Sequence, residues 1–239
     1  TEALNENEVR IFVSHKAYDN FIYQGEDFKR GIKIINKDKF LASSIITAIA
    51  SLGISKVKVY KKPIVGIITT GDELQEPGEE LKEGKIFNSN KAFLYTRLLE
   101  LGAEPRIFDI AKDSIEGIVS VVEKAEKECQ IIISTGGVSV GEKDLVLRAV
   151  ESIGYRRLFW KISMKPGSPM FSAVKNGVIY IGLSGTPVAA ATTFELTARR
   201  VIAKMLNCKD IDIRKVEGIL QDEFKKKSPK RRFLRVRVS

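Results

Sequence analysis

Histidine and cysteine are nearly absent from this chain. The 239 residues contain one histidine, His15, and two cysteines, Cys129 and Cys208, which lie far apart in the sequence. This scarcity argues against a disulfide framework, a cysteine-based zinc site and a Ser-His-Asp catalytic triad. It is typical of a cytosolic protein, and we interpret His15 as an ordinary surface residue.

Long apolar runs are missing as well. No stretch of the sequence reaches the length that spans a membrane, and no signal peptide opens it. We therefore expect a cytoplasmic protein without a membrane partner. Because the first residue is Thr1 rather than methionine, we interpret the chain as a fragment of a longer protein.

Positive charge is abundant. The sequence has 40 Lys and Arg residues against 30 Asp and Glu residues, which gives a formal net charge of +10. Such a balance favours nucleic acid, a membrane surface or a phosphorylated small molecule as a partner, although a solvated lysine-rich surface explains it equally well. The basic segment 223–237 contains no nucleic-acid motif, and its alternating Phe233, Leu234 and Val236 favour truncated β structure over a nucleic-acid arm.

Strand and helix patterns alternate between Pro63 and Asn207. This alternation predicts an α/β fold with a doubly wound sheet of parallel strands. Ligands of such sheets bind beyond the carboxyl ends of the strands. The loops expected at that edge are residues 70–74, 111–114, 135–144 and 184–187.

The loop from Thr135 to Asp144 reads TGGVSVGEKD and is rich in glycine. It lies between a predicted buried strand, 131–134, and a predicted helix, 144–153. Glycines allow a ligand to approach the backbone, and the N–H groups at a helix start favour an anion such as phosphate. We predict phosphate binding by residues 136–141, although a glycine turn by itself can equally solve only a steric problem.

Acidic side chains are concentrated in the same loops, with two lysines nearby. The residues are Asp72, Glu73, Asp113, Asp144, Lys161 and Lys165. Grouped carboxylates suit Mg²⁺ held against a phosphorylated or oxyanionic ligand, while lysines neutralise the remaining charge. A single acid such as Asp113 or Asp144 is more simply a helix cap, but several acids at one edge favour a binding site.

Four motifs, in this order, resemble the MoeA-like molybdopterin molybdenumtransferases and the E domain of gephyrin. They are G-E-D at 25–27, T-G-D-E-L at 70–74, G-V-S-V-G followed by Asp144, and K-P-G-x-P at 165–169. The resemblance runs from about Gln24 to Leu206. It implies a MoaB/Mog-like molybdopterin-binding doubly wound α/β sheet with parts of flanking smaller domains.

This resemblance also implies how the chain is divided. The parts are residues 1–23, the end of an inserted β domain; 24–62, part of an N-terminal linker domain; 63–207, the molybdopterin-binding α/β domain; and 208–239, the start of a C-terminal β domain.

The activity implied by the resemblance is insertion of molybdate or tungstate into adenylylated molybdopterin, with Mg²⁺-dependent release of AMP. The implied catalytic positions are Asp27, Glu73, Asp113, Asp144, Lys161 and Lys165, and the implied metal ligands among them are Glu73, Asp113 and Asp144. The implied cofactor-binding positions are Thr70, Gly71, Thr135, Gly136, Gly137, Ser139, Gly141, Pro166, Gly167 and Gly185. A homodimer is implied too, with Asp27 facing the site of the partner subunit, and so is contact with an adenylyltransferase partner.

Four positions depart from the family pattern. Asn88 stands where the family has an acid, and Ser184, Thr186 and Ala189 change the usual L-P-G-N-P-V-S. These changes keep open a second interpretation, a catalytically weakened molybdopterin-binding or scaffold protein of the same fold. The preserved acids favour the enzyme, and the Val-Ser-Val-Gly loop argues against the adenylylation step of the sister branch.

Overall fold

A computed structural model describes residues 1–138, 144–221, 223–225 and 227–237 of the chain. The chain forms two compact units. The first comprises Thr1–Asn36 and Ala42–Ser55, and the second comprises Lys37–Leu41 and Lys56–Ser239. The four-part division expected from the sequence stays a prediction.

The first unit contains a short hairpin and one helix. The hairpin pairs β1 (Glu2–Asn5) with β2 (Glu8–Arg10), and the helix is α1 (Ser43–Ser51), which buries Ile49. The second strand ends at Arg10, so Ile11 and Val13 lie outside it. The hairpin turn is held locally, since the backbone N–H of Asn7 donates to Asn5 Oδ1 at 2.9 Å.

The second unit contains the remaining strands and helices. The strands are β3 (Ile64–Thr69), β4 (Leu74–Gln75), β5 (Ile86–Phe87), β6 (Glu104–Ile107), β7 (Ile131–Thr135), β8 (Arg156–Trp160), β9 (Met164–Lys165), β10 (Phe171–Lys175), β11 (Val178–Leu183) and β12 (Arg231–Arg232). The helices are α2 (Ser89–Glu100), α3 (Ile115–Glu128), α4 (Leu145–Ser152), α5 (Pro187–Thr193) and α6 (Arg199–Met205). A π-helical turn, Phe194–Ala198, joins α5 to α6, and a short 3₁₀ helix, Lys209–Ile211, follows.

Six strands form the central sheet, in the order β6-β3-β7-β11-β10-β8. The first four are parallel, whereas β10 is antiparallel to both of its neighbours. The expected α/β class is therefore confirmed, but the sheet is mixed rather than wholly parallel. The reason is a tight hairpin between β10 and β11, where Asn176 and Gly177 have φ angles of 49° and 83°, as two-residue hairpin turns require.

Helices cover both faces of the sheet, and β7 shows how the sequence achieves this. Its isoleucines alternate, so Ile132 packs towards α3 and α4 while Ile131 and Ile133 pack towards α2 and α6. A strand buried on both faces reads as a continuous apolar run, which is what the sequence has here. In the described part of the chain, every helix is too short or too polar to cross a membrane.

Candidate functional site at the carboxyl edge of the sheet

The parallel strands end side by side. Thr69 of β3 lies opposite Thr135 of β7, which lies opposite Leu183 of β11. The loops that follow these strands therefore open at one edge, and Thr70 forms a bridge with Ala111 that brings in the loop after β6. The register thus places the four expected loops together.

Two glycines pack the loop after β7 against Thr70. Gly136 and Gly137 have φ angles of 93° and 61°. A Cβ on Gly136 would overlap the carbonyl oxygen of Thr70, and one on Gly137 would lie 2.5 Å from the side chain of Val146. Gly185 also comes close, since its Cβ would lie 3.4 Å from the Cα of Gly136. Glycine is therefore required here by close approach and by backbone conformation together.

Thr70 adds a polar group beneath this loop. The residue is 2% exposed, and its hydroxyl has no hydrogen-bond partner among the described residues. The hydroxyl lies against the two glycines, since a Cβ on Gly136 would lie 2.7 Å from Thr70 Oγ1. Ser139 and Gly141 lie outside the described residues, so the phosphate-binding prediction for the whole loop stays a prediction.

Three exposed carboxylates gather at the β3 and β6 side of the edge. The backbone N–H of Asp113 donates to Asp72 Oδ1 at 3.5 Å, a weak bond that joins the two loops. Glu73 folds back over Gly71, where a Cβ would lie 2.6 Å from either of its carboxylate oxygens. Partial burial raises the pKa of Asp113, and the charges of Asp72 and Glu73 raise it further. Asp72 is the member of this cluster that the family resemblance does not imply.

Asp144 has a different environment. It is 4% exposed, and Trp160 Nε1 donates to its Oδ2 at 2.7 Å. Burial raises the pKa of Asp144, while the Trp160 bond, the Leu147 backbone N–H and Lys161 act in the opposite direction. Lys161 places its Nζ 3.7 Å from the centre of the Trp160 ring. Sequence reasoning missed Trp160, because nothing in the pattern links it to Asp144.

The expected metal ligands do not converge as one set. Within the described residues, no group of three His, Cys, Asp or Glu side chains is placed to hold a metal ion. The combination of Glu73, Asp113 and Asp144 around one Mg²⁺ therefore stays a prediction. The donor chemistry does fit, because burial and then the charges of Asp72 and Glu73 raise the pKa of Asp113, and carboxylates offer hard oxygen ligands.

The lysine loop is anchored from two sides. Lys165 ends β9, and a Cβ on Gly167, two residues later, would overlap the Thr193 side chain of α5. Pro166 lies between them. On the other side, β12 pairs with β9 in parallel, and the Phe233 N–H donates to the Lys165 carbonyl at 2.9 Å. The basic C-terminal segment thus supports the site instead of extending freely.

A cavity of about 300 Å³ lies between the starts of α2 and α5. Asn90 Nδ2 donates to the Gly185 carbonyl at 2.7 Å and so ties the two helix starts together. Most of the lining surface is apolar, and the C-terminal segment contributes one basic side chain, that of Arg235. The lining residues are Ser89, Asn90, Phe93, Pro187, Val188, Ala191, Thr192 and Arg235. Arg235 was not predicted, because it follows Asn90 in the sequence by more than half the length of the chain.

The four departures from the family pattern are accommodated within the fold. Asn88 is 1% exposed and its Oδ1 accepts from the Lys91 N–H at the start of α2. Its Nδ2 donates to Thr69 Oγ1 at 2.9 Å and to Glu76 Oε1 at 3.3 Å, so an amide is needed there. The Thr186 N–H donates to Ser184 Oγ at 3.4 Å, and Ala189 is buried.

Asp27 belongs to the first unit and is exposed there. Its expected approach to the site of a partner subunit stays a prediction.

Comparison with known proteins now identifies the family. Residues 66–204 match the family model described as "Probable molybdopterin binding domain". The matched range covers the sheet and all the loops at its carboxyl edge. The chain belongs to this molybdopterin-binding domain family, which confirms the family expected from the motifs.

Individual relatives agree. The chain is 34% identical to a molybdopterin molybdenumtransferase of Staphylococcus epidermidis over 98% of the chain and 56% of the relative. It is 35% identical to that of Bacillus subtilis, over 100% of the chain and 56% of the relative. A crystal structure of a molybdopterin biosynthesis MoeA protein from Pyrococcus horikoshii matches with a TM-score of 0.71 and 30% identity, over 77% of the chain and 46% of that structure. The chain spans about half the length of the relatives it matches.

Proposed function

We propose that the chain carries the active-site domain of a molybdopterin molybdenumtransferase. The reaction would insert molybdate or tungstate into adenylylated molybdopterin and release AMP. The observation that carries this proposal is the meeting of a glycine-lined loop, a carboxylate cluster and a lysine loop at one sheet edge within the family domain.

The glycine loop would hold the phosphate end of the pterin nucleotide. Gly136 and Gly137 leave the backbone without side-chain cover, so a phosphate would be able to approach the main chain there. Larger residues at positions 136 and 137 would instead collide with Thr70 and Val146. Binding at this point directs the phosphate towards the acids of the neighbouring loops.

The acidic cluster would supply one or two of the ligands of Mg²⁺, and the substrate phosphate would supply others, since no three described side chains form a metal site by themselves. The described carboxylates from which these ligands would come are Asp72, Glu73 and Asp113. Asp144 is the ligand expected from the side of the glycine loop. When bound, Mg²⁺ supplies charge neutralisation of the phosphate and so makes AMP a better leaving group. The protein's own part is to keep several carboxylates together at an energy cost that a cation relieves.

Lys161 and Lys165 would hold the incoming oxyanion. Both lie in the segment between β8 and β10, and the contacts of β12 fix the Lys165 carbonyl. An ammonium group neutralises an oxyanion without needing a preset geometry. The proposal extends to a cytoplasmic homodimer in which Asp27 completes the partner's site, and to contact with the adenylyltransferase that supplies the substrate.

The test compares two exposed aspartates of the same loop. Asp113→Asn should lower the rate of AMP release from adenylylated molybdopterin, with Mg²⁺ and molybdate present, by about tenfold or more. Asp109→Asn, which alters an exposed aspartate with no described contact to the cluster, should keep the wild-type rate. Wild-type protein that binds the pterin nucleotide without releasing AMP would support the binding or scaffold interpretation instead.

A further inference from the structure

Trp160 is the only tryptophan of the sequence and the last residue of the edge strand β8. It pairs with Phe171 of β10, whose buried ring stacks on Tyr180 at 5.5 Å between ring centres. Cross-strand partners point to the same face of a sheet, so the indole lies on the α4 side. It is 38% exposed, which is much for a residue that only fills space.

The edge of the indole holds a buried acid. Trp160 Nε1 donates to Asp144 Oδ2 at 2.7 Å, while Asp144 is 4% exposed. The Leu147 N–H lies near the carboxylate, but no described donor reaches hydrogen-bond geometry with Oδ1. A bond from an N–H to a carboxylate is short and directional. The indole therefore fixes one carboxylate oxygen, Oδ2, while Oδ1 makes no hydrogen bond to a described residue.

The face of the same indole holds a cation. Lys161 Nζ lies 3.7 Å from the ring centre, within the range of a cation–π interaction. Lys161 has a φ of 63°, a left-handed conformation that is unfavourable for lysine. Its backbone is held there because its N–H donates to the Met170 carbonyl at 2.7 Å.

We propose that Trp160 is a positioning residue that keeps Asp144 and Lys161 apart. Its N–H orients the carboxylate and its ring holds the ammonium, so the two opposite charges do not collapse into a direct ion pair. Each group then serves its own ligand, the acid the Mg²⁺ that would accompany the phosphate end and the lysine the oxyanion. This inference rests on the proposed function for the identity of those ligands, but the arrangement itself does not depend on turnover.

The first test needs no activity. A ¹H–¹⁵N spectrum of the chain contains one indole N–H signal, because Trp160 is its only tryptophan. We expect this signal downfield of free indole and slow to exchange with water. Asp144→Ala should move it upfield and accelerate exchange by about tenfold or more. Phe159→Leu, a change in the adjacent and similarly exposed residue, should leave the signal in place.

The second test separates the two roles of the ring. Trp160→Phe keeps an aromatic face but removes the N–H, so turnover should fall about tenfold while the apparent molybdate affinity stays within about threefold. Trp160→Leu removes both features and should lower both quantities. Phe159→Leu should alter neither by more than about twofold. If Trp160 served only packing, Trp160→Phe and Trp160→Leu would give the same small loss of both quantities.

The outcomes separate this inference from the proposed function. An indole signal that ignores Asp144→Ala would overturn the positioning role, whatever the activity. A signal that follows Asp144 in a protein without AMP release would retain the positioning role and remove the proposed reaction. Equal molybdate affinity in Trp160→Phe and Trp160→Leu would overturn the part assigned to Lys161.

Discussion

Asp113 and Asp144 are both aspartates with raised pKa values at one edge of one sheet, yet their surroundings are opposite. Asp113 is exposed, and after partial burial it is the charges of Asp72 and Glu73 that raise its pKa. Asp144 is almost fully buried, and burial dominates, while an indole N–H and a lysine oppose the shift. Burial is the main cause of both shifts, but neighbouring anions add to it at Asp113, whereas a hydrogen-bond donor and a cation counteract it at Asp144.

The difference teaches how one edge can divide two tasks. Carboxylates that repel one another invite a cation, because a cation removes the repulsion. A buried carboxylate bonded to one donor is instead held in a fixed orientation. We therefore assign cation binding mainly to the Asp113 side and ligand orientation mainly to the Asp144 side, with the glycine loop between them.

The largest expected effect comes from breaking the contact that joins the two sides. Gly136→Ala places a Cβ against the Thr70 carbonyl at a φ of 93°, so we expect a loss of about 3 kcal/mol or more in the free energy of unfolding. Gly154→Ala is the matched control, because Gly154 has a φ of 94° but open space around it. It should cost only about 1 kcal/mol. Urea unfolding measures the stability loss of both variants, and equal losses would show that the close contact between Gly136 and Thr70 has no effect of its own.

A carboxylate introduced at the buried position 88 should give the next largest effect. Asn88→Asp replaces the amide that donates to Glu76 and leaves two carboxylates adjacent in a site that is 1% exposed. We expect a loss of about 2 kcal/mol at pH 7, because the carboxylate would keep the Lys91 N–H as a donor but would replace the hydrogen bond to Glu76 by a repulsion between two anions.

Glu76→Gln provides the control, since a glutamine amide restores a donor between positions 76 and 88. The double variant should recover about half or more of the lost stability in thermal unfolding. If both single variants and the double variant unfold alike, the Asn88 amide has no such role.

The body of this fold was predictable from the sequence because its strands are buried on both faces and its helices are amphipathic. Continuous apolar runs such as Ile131–Thr135 identify strands, and parallel strands place their loops at one edge. The Asn176-Gly177 pair is typical of a two-residue hairpin turn and indicates that β10 is antiparallel to β11. The prediction of parallel strands throughout the sheet does not take this pair into account.

The details of the site were not predictable in the same way. The Asp72–Asp113 and Trp160–Asp144 contacts join residues 41 and 16 positions apart, and no periodicity encodes such pairs. The docking of β12 on β9 is equally non-local, so a basic, alternating segment gave no sign of where it binds. The motifs identified the loops, whereas only the fold shows which side chains meet.

The stabilisation by Mg²⁺ should distinguish Asp113 from Asp144, with a smaller change in the free energy of unfolding. Mg²⁺ should stabilise the wild type by about 1–2 kcal/mol in thermal unfolding at saturating concentration, because it relieves the repulsion around Asp113. Asp113→Asn should remove most of this gain, and Asp144→Asn should keep most of it. A gain that disappears only in Asp144→Asn would reverse our assignment.

The smallest effect is a difference in pH and salt dependence. Both folded-state pKa values are raised, so the folded protein holds more protons than the unfolded chain once the pH passes the ordinary aspartate value of 3.8. Stability should therefore fall as the pH rises from there through each raised pKa. Asp113→Asn and Asp144→Asn should each flatten this fall.

Salt should separate the two acids. The Debye length shrinks from about 10 Å at 0.1 M to about 3 Å at 1 M, which weakens the repulsion from Asp72 and Glu73 but not the burial of Asp144. Titration of the carboxyl ¹³C signals without Mg²⁺ should accordingly show the pKa of Asp113 falling with salt while that of Asp144 stays constant. Equal salt dependence of the two pKa values would mean that the acids share one electrostatic environment, and that the division of tasks between them is wrong.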